Sequence, residues 1–273
     1  SRLIPKPGSV LLLGAPKAGK TTLALQLASA ITQGQPFLGE QTEPGRVLYL
    51  QIDPGELVWR QRLDEVTEAG LDLSRVQTVH PDDRPWPLNI LSVEGRAWIK
   101  ESLGEAKPDL VIVDVLRELH SVDENDSTAM KAFGDALGRA FYGRGLLLLH
   151  HTPKVEVDPI NSARGSSYLA GKVDLIWLLR KNRLYLVSRL DEDRVIDAKR
   201  GEAGLWDFPG LELADEVLAQ VRALCEERPD LPHTELVSVA KERWGISRGS
   251  YYRALRRGPC AHVPASLPLQ QQG

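Results

Sequence analysis

The stretch Gly14-Ala15-Pro16-Lys17-Ala18-Gly19-Lys20-Thr21 has the residue types and the spacing, GxxxxGK[ST], that holding a phosphate chain requires. Its glycines let main-chain N–H groups close around anionic oxygens, and a helix starting there turns its positive end toward them. Lys20 is placed to reach the β- and γ-phosphates of a nucleoside triphosphate and Thr21 to ligate magnesium, with Thr22 completing the binding stretch. The expected ligands are ATP and Mg2+. Lys17 has two readings, a phosphate contact or a solvated side chain. Spacing alone does not aim a flexible ammonium, and solvation is the simpler outcome.

A second element of the same chemistry is Asp114, which ends the run Leu110-Val111-Ile112-Val113. A carboxylate at the carboxyl end of a buried strand beside the phosphate loop can hold the metal from its other side. Hydrolysis also needs a group to orient and deprotonate water. Asp53 and Glu56 both follow Tyr49-Leu50-Gln51-Ile52, and Asp53 is the first choice. The plainer reading is that Asp53 opens an Asp-Pro-Gly turn and Glu56 sits in a first helical turn, where acidic residues are favoured.

These side chains need strands to carry them. Four short apolar runs, at 10–13, 47–50, 110–113 and 146–149, suit strands buried on both faces of a parallel sheet. Helical segments at about 20–33, 56–69, 93–104 and 127–142 alternate with them, an α/β layered pattern. Further runs at 173–179, 183–189 and 194–198 are separated by turn signals and predict hairpins extending one sheet edge. The character changes after Pro209: helices are expected at 213–226, 233–244 and 248–257, then a polar tail ending in three glutamines and Gly273. The expected division is 1–210, 211–260 and a disordered 261–273.

The order of blocks resembles the RepA-type hexameric replicative helicases of the RecA superfamily over about residues 5–200. The blocks are the phosphate loop, Val47-Leu48-Tyr49-Leu50, and the strand leading to Asp114-Val115-Leu116-Arg117-Glu118-Leu119-His120. After these come Leu149-His150-His151-Thr152-Pro153-Lys154 and Ala163-Arg164-Gly165-Ser166-Ser167. The resemblance implies a RecA-like core with a mainly parallel sheet flanked by helices, and a homo-oligomeric, hexameric ring. It implies that His150 and His151 sense the γ-phosphate; a pair of hydrogen-bonded core histidines is the simpler alternative. It implies that Arg164 projects into a neighbouring subunit's ATP, where a planar cation offsets charge on the transferred phosphoryl group. The family usually places a glutamate where this chain has Asp53, one methylene shorter. The segment from Thr152 to Ser162 is expected to face single-stranded DNA through Lys154, although Glu156 and Asp158 oppose it, as do Asp123, Glu124 and Asp126 after the Asp114 strand.

Near the carboxyl end, His233 to Trp244 followed by Gly245-Ile246-Ser247-Arg248-Gly249-Ser250-Tyr251-Tyr252-Arg253 resembles a helix-turn-helix module. Arg248, Arg253, Arg256 and Arg257 make its second helix basic enough for phosphate contacts. Composition narrows the rest. A net charge of −3 excludes a globally basic nucleic-acid binder and leaves only local patches. Two cysteines without a CxxC pair, and no signal-like start, favour a reducing cytoplasmic setting. No apolar run approaches a membrane span. Three functions fit: a DNA-dependent ring motor, a RecA-like filament-forming recombination protein, or a DNA-binding regulator or helicase loader that uses ATP as a switch.

Overall fold

Strand formation follows the apolar runs closely, because side chains pointing to both faces of a covered sheet must all be apolar. The computed structural model describes residues 3–52, 55–79, 88–124, 126–151, 169–189, 193–201, 204–209, 215–246, 251 and 254. The chain divides into two compact units, Ser1–Pro209 and Gly210–Gly273.

The first unit is built on an eight-stranded sheet. Its strands are β1 (Gly8–Gly14), β2 (Val47–Gln51), β3 (Val76–Val79), β4 (Leu110–Asp114), β5 (Gly145–His151), β6 (Leu175–Arg180), β7 (Arg183–Ser188) and β8 (Arg194–Asp197). The spatial order is β3-β2-β4-β5-β1-β6-β7-β8. Neighbours from β3 to β6 are parallel, and β6-β7-β8 is the antiparallel extension expected at one edge. β3 was not foreseen. Val76-Gln77-Thr78-Val79 is half exposed at the other edge, so it lacks the continuous apolar signature of its neighbours.

Helices α1 (Lys20–Gln33) and α2 (Glu56–Glu68) lie on one face, and α3 (Val93–Ala106) and α4 (Ser127–Ala140) on the other. The second face is one continuous core. Leu11 and Leu13, Leu48 and Leu50, Val111 and Val113, and Leu146 and Leu148 meet Ile99 and Leu103 of α3 and Met130 and Phe133 of α4. Residues of the opposite parity, among them Leu12, Tyr49, Ile112, Leu147 and Leu149, therefore face α1 and α2. α1 is buried on most of its surface, Leu23, Ala24, Leu25, Leu27, Ala28 and Ala30 included, as a helix at the centre of a covered sheet must be. A two-stranded ladder, β9 (Lys199–Arg200) with β10 (Trp206–Asp207), follows the sheet.

In the second unit, α5 (Asp215–Glu227) and α6 (His233–Trp244) share a small core with Ile246, Tyr251 and Ala254. His233 Nδ1 lies 3.0 Å from the Tyr251 hydroxyl, which ties the start of α6 to the segment after it. Arg248, Arg253, Arg256 and Arg257 lie outside the described residues, as do Asp53, Lys154 and Arg164.

Candidate functional site

β1 is flanked by β5 and β6 at the middle of the sheet, and its carboxyl end opens directly into the 14–21 loop. The carboxyl edge of a parallel sheet is where loops converge and ligands are held in α/β folds. Gly14 is needed there: a Cβ would come within 3.0 Å of the Leu179 carbonyl oxygen and 3.5 Å of the Lys20 chain. Gly19, at the N-cap of α1, is left-handed with φ 92°. Lys17 also has a positive φ, 61°, and its side chain is exposed. Its backbone thus adopts a conformation that β-carbon-bearing residues rarely take, a feature concentrated at functional turns.

Lys20 is 6 % exposed and its ammonium donates to the Gly14 carbonyl at 2.8 Å and the Ala15 carbonyl at 3.0 Å. The same Nζ lies 3.1 Å from His151 Nδ1. Burial lowers its pKa from 10.5 to about 8, partly offset by Asp114. Thr21 donates its hydroxyl to Asp114 Oδ2 at 2.7 Å, so α1 and β4 bring the two expected metal-side groups together. A third group, unforeseen, joins them: the Tyr49 hydroxyl donates to the same Oδ2 at 2.8 Å. Burial raises the Asp114 pKa, while the Thr21 and Tyr49 hydrogen bonds and the Lys20 and Arg62 charges oppose that rise.

Tyr49 packs against Trp59 of α2 in a tilted arrangement, with ring centroids 5.1 Å apart. Burial and the Asp114 charge push the Tyr49 hydroxyl well above its ordinary pKa, so it remains a proton donor. Thr21 and Asp114 offer hard oxygens, the donor type magnesium takes together with phosphate and water. The open loop, the buried ammonium and this oxygen pair fit a nucleotide triphosphate with a divalent ion.

The ladder after the sheet also reaches the loop. Gln26 of α1 and Trp206 exchange two hydrogen bonds, each 2.8 Å, through the Trp206 backbone. The Trp206 indole N–H donates to the Gly19 carbonyl at 3.0 Å, and Arg200 lies over that ring at 4.6 Å. A Cβ on Gly19 would collide with the Arg200 guanidinium, so this glycine also makes room for the clasp. Sequence reasoning missed these contacts because nothing local marks a pairing across 180 residues.

His150 and His151 both lie in β5 but point to opposite faces. His151 meets Lys20; His150 Nε2 is 3.7 Å from Glu124 Oε2. Glu124 also faces Arg117 at 3.7 Å and His120 at 3.9 Å, while Asp126 caps α4 by accepting from Thr128 N and Ala129 N. Glu124 and Asp126 are thus engaged in local structure. Glu56 opens α2 and pairs with Arg60 one turn on. Among the described residues no cluster of three or more His, Cys, Asp or Glu could hold a metal by itself. No helix among them is long and apolar enough to cross a membrane.

No curated protein sequence matches the chain. Among solved structures, a KaiC-like protein of the hyperthermophilic archaeon Pyrococcus horikoshii superposes with a TM-score of 0.50 at 13% identity, over 75% of this chain and 90% of that one. The identity is low and the likeness is one of fold: a RecA-like P-loop core. The family model of the AAA domain matches residues 1–157, which include the phosphate loop, Asp114 and both histidines. The chain belongs to the AAA domain family, and it is a nucleotide-binding P-loop ATPase with a RecA-like core.

Proposed function

We propose that this ATPase is an ATP- and magnesium-dependent motor that acts on single-stranded DNA as a ring of identical subunits, in the manner of the RepA-like helicases. The observation that carries the reading is the contact of Lys20 with His151 at 3.1 Å. The Lys20 ammonium is held by two loop carbonyls and this histidine. An arriving triphosphate is a far stronger partner for a buried ammonium than neutral carbonyls are. Lys20 therefore turns to the phosphates and releases His151, the last residue of β5. The chain after His151 carries Lys154 and Arg164. Nucleotide state is passed in this way to the segment assigned to DNA and to the neighbouring subunit.

In this reading the bound magnesium offsets charge on the β- and γ-phosphates. Thr21 and Asp114 hold the metal side, and Tyr49 keeps the Asp114 carboxylate oriented. Asp53 orients and deprotonates the attacking water, with Glu56 the reserve for that role. Arg164 of an adjoining subunit meets the phosphoryl group. DNA contact is assigned to Lys154 and to Arg248, Arg253, Arg256 and Arg257. The engagement of Glu124 and Asp126 within their own unit supports it, because it reduces the free negative charge noted near β4.

A specific residue favours a second reading. Asp53 is one methylene shorter than the glutamate common in this superfamily, which suits slow hydrolysis and an ATP-switched regulator or loader. Steady-state ATPase turnover with and without single-stranded DNA separates the two. The motor reading expects stimulation of about tenfold or more and rings in ATP by electron microscopy. An unchanged rate removes the motor and leaves the switch.

A further inference from the structure

Gln51 is the last residue of β2 and is 1 % exposed, and among the described residues neither its amide oxygen nor its amide nitrogen has a hydrogen-bond partner. Burying an amide with nothing to bond to is costly, and such groups in folded proteins call for an explanation. Packing does not supply one. Val47, Leu48, Tyr49 and Leu50 precede it as buried strand residues, and an apolar side chain of similar volume would suit the same position.

Position supplies the explanation. Gln51 is the direct register partner of Asp114 across the β2–β4 ladder. Alternation along β2 puts Gln51 on the same face as Tyr49, whose hydroxyl reaches Asp114 Oδ2. Thr21 and Tyr49 both donate to that oxygen. The carboxylate is therefore oriented from two sides, and the unpartnered amide stands in the same layer beside it. An amide both accepts and donates, so it can take a hydrogen bond from one water and give one to another oxygen. Magnesium keeps several of its waters when it binds protein and phosphate, and those waters need partners.

We propose that Gln51 is a positioning residue for the hydration shell of the divalent ion held by Thr21 and Asp114, its amide bonding a metal-bound water rather than the metal. The proposal rests on the magnesium–nucleotide reading of the site. It explains why an amide is retained where burial favours a leucine: its partners arrive with the ligand. Outer-shell partners of this kind typically change metal affinity by about 10–100-fold when removed.

The test measures Mn2+ binding to the protein saturated with a non-hydrolysable ATP analogue, by the loss of the free-ion electron paramagnetic resonance signal. Metal-free binding of a fluorescent nucleotide in EDTA and the thermal midpoint of the ligand-free protein are measured alongside. Gln51→Leu is expected to weaken Mn2+ about tenfold. It should leave metal-free nucleotide affinity within about twofold and raise the midpoint by about 2–4 °C, because an unpaired buried amide is gone. Gln51→Glu, which keeps an oxygen acceptor, retains Mn2+ affinity within about threefold. Native-like Mn2+ affinity in Gln51→Leu overturns the role of Gln51 alone. A lowered midpoint in that variant also overturns it, since the amide then has a protein partner. If the native complex itself binds no Mn2+, the reading of the whole site fails.

Discussion

His150 and His151 are consecutive in sequence, yet one step along β5 carries them into different chemistry. His151 shares a face with α1 and meets the Lys20 ammonium at the mouth of the phosphate loop. His150 shares the opposite face with Glu124, His120 and Phe133, beneath α4. The first face ends in groups whose partners are a carboxylate and loop carbonyls. The second holds packed histidines: His120 is 6 % exposed, its ring 4.2 Å from that of Phe133, with Arg117 3.2 Å from its Nδ1, while His120 Nε2 and His150 Nδ1 have no hydrogen-bond partner among the described residues. A parallel strand thus joins a layer built around Lys20 and Asp114 to a layer of packed histidines through a single peptide unit.

The sharpest way to break this division is Lys20→Ala. Losing a charged, partly desolvated donor to phosphate should weaken nucleotide binding about 100-fold in a fluorescent-nucleotide titration. The thermal midpoint of the ligand-free protein should not fall, because burial penalises the ammonium that is removed. Unimpaired nucleotide binding would remove the loop as the site.

His120→Ala should do the reverse. It leaves a cavity against Phe133 and strips Arg117 of a partner, costing about 2 kcal/mol in a denaturant titration. Nucleotide affinity should stay within about threefold, and a larger loss would show that the two faces are not separable.

The smallest effect is in pH. Burial lowers the pKa of both His120 and His150 below the ordinary value of about 6.5. The folded protein therefore binds fewer protons than the unfolded chain in the window below that value. Their contribution to stability is complete above about pH 6.5 and declines as the pH falls toward the folded values. Thermal midpoints between pH 7.5 and 5.5 should show this decline, and His120→Ala should flatten it. An unaltered slope in the variant would assign the acid sensitivity to other groups.

The phosphate loop, Asp114 and the order of alternating strands and helices were legible because each is a local signal: a short spacing, a carboxylate ending an apolar run, a period that changes from strand to helix. β1, β2, β4 and β5 are buried on both sides, and that condition writes itself into consecutive residues such as Leu110-Val111-Ile112-Val113. β3 is half exposed, so the same rule leaves no mark on it. Tyr49 and Gln51 were read only as members of a strand, since nothing along the chain tells which residue of β4 lies opposite them. Register decides that, and register is a property of two strands separated by some sixty residues. Tertiary structure alone likewise brought Trp206 to Gly19 and Gln26, turned His150 and His151 apart, and enlisted Glu124 as a partner of His150. Residue type and spacing along one chain were enough to mark the loop of a P-loop ATPase. Which groups complete the cradle depends on contacts between distant segments, which only the packed sheet and its helices bring within bonding distance.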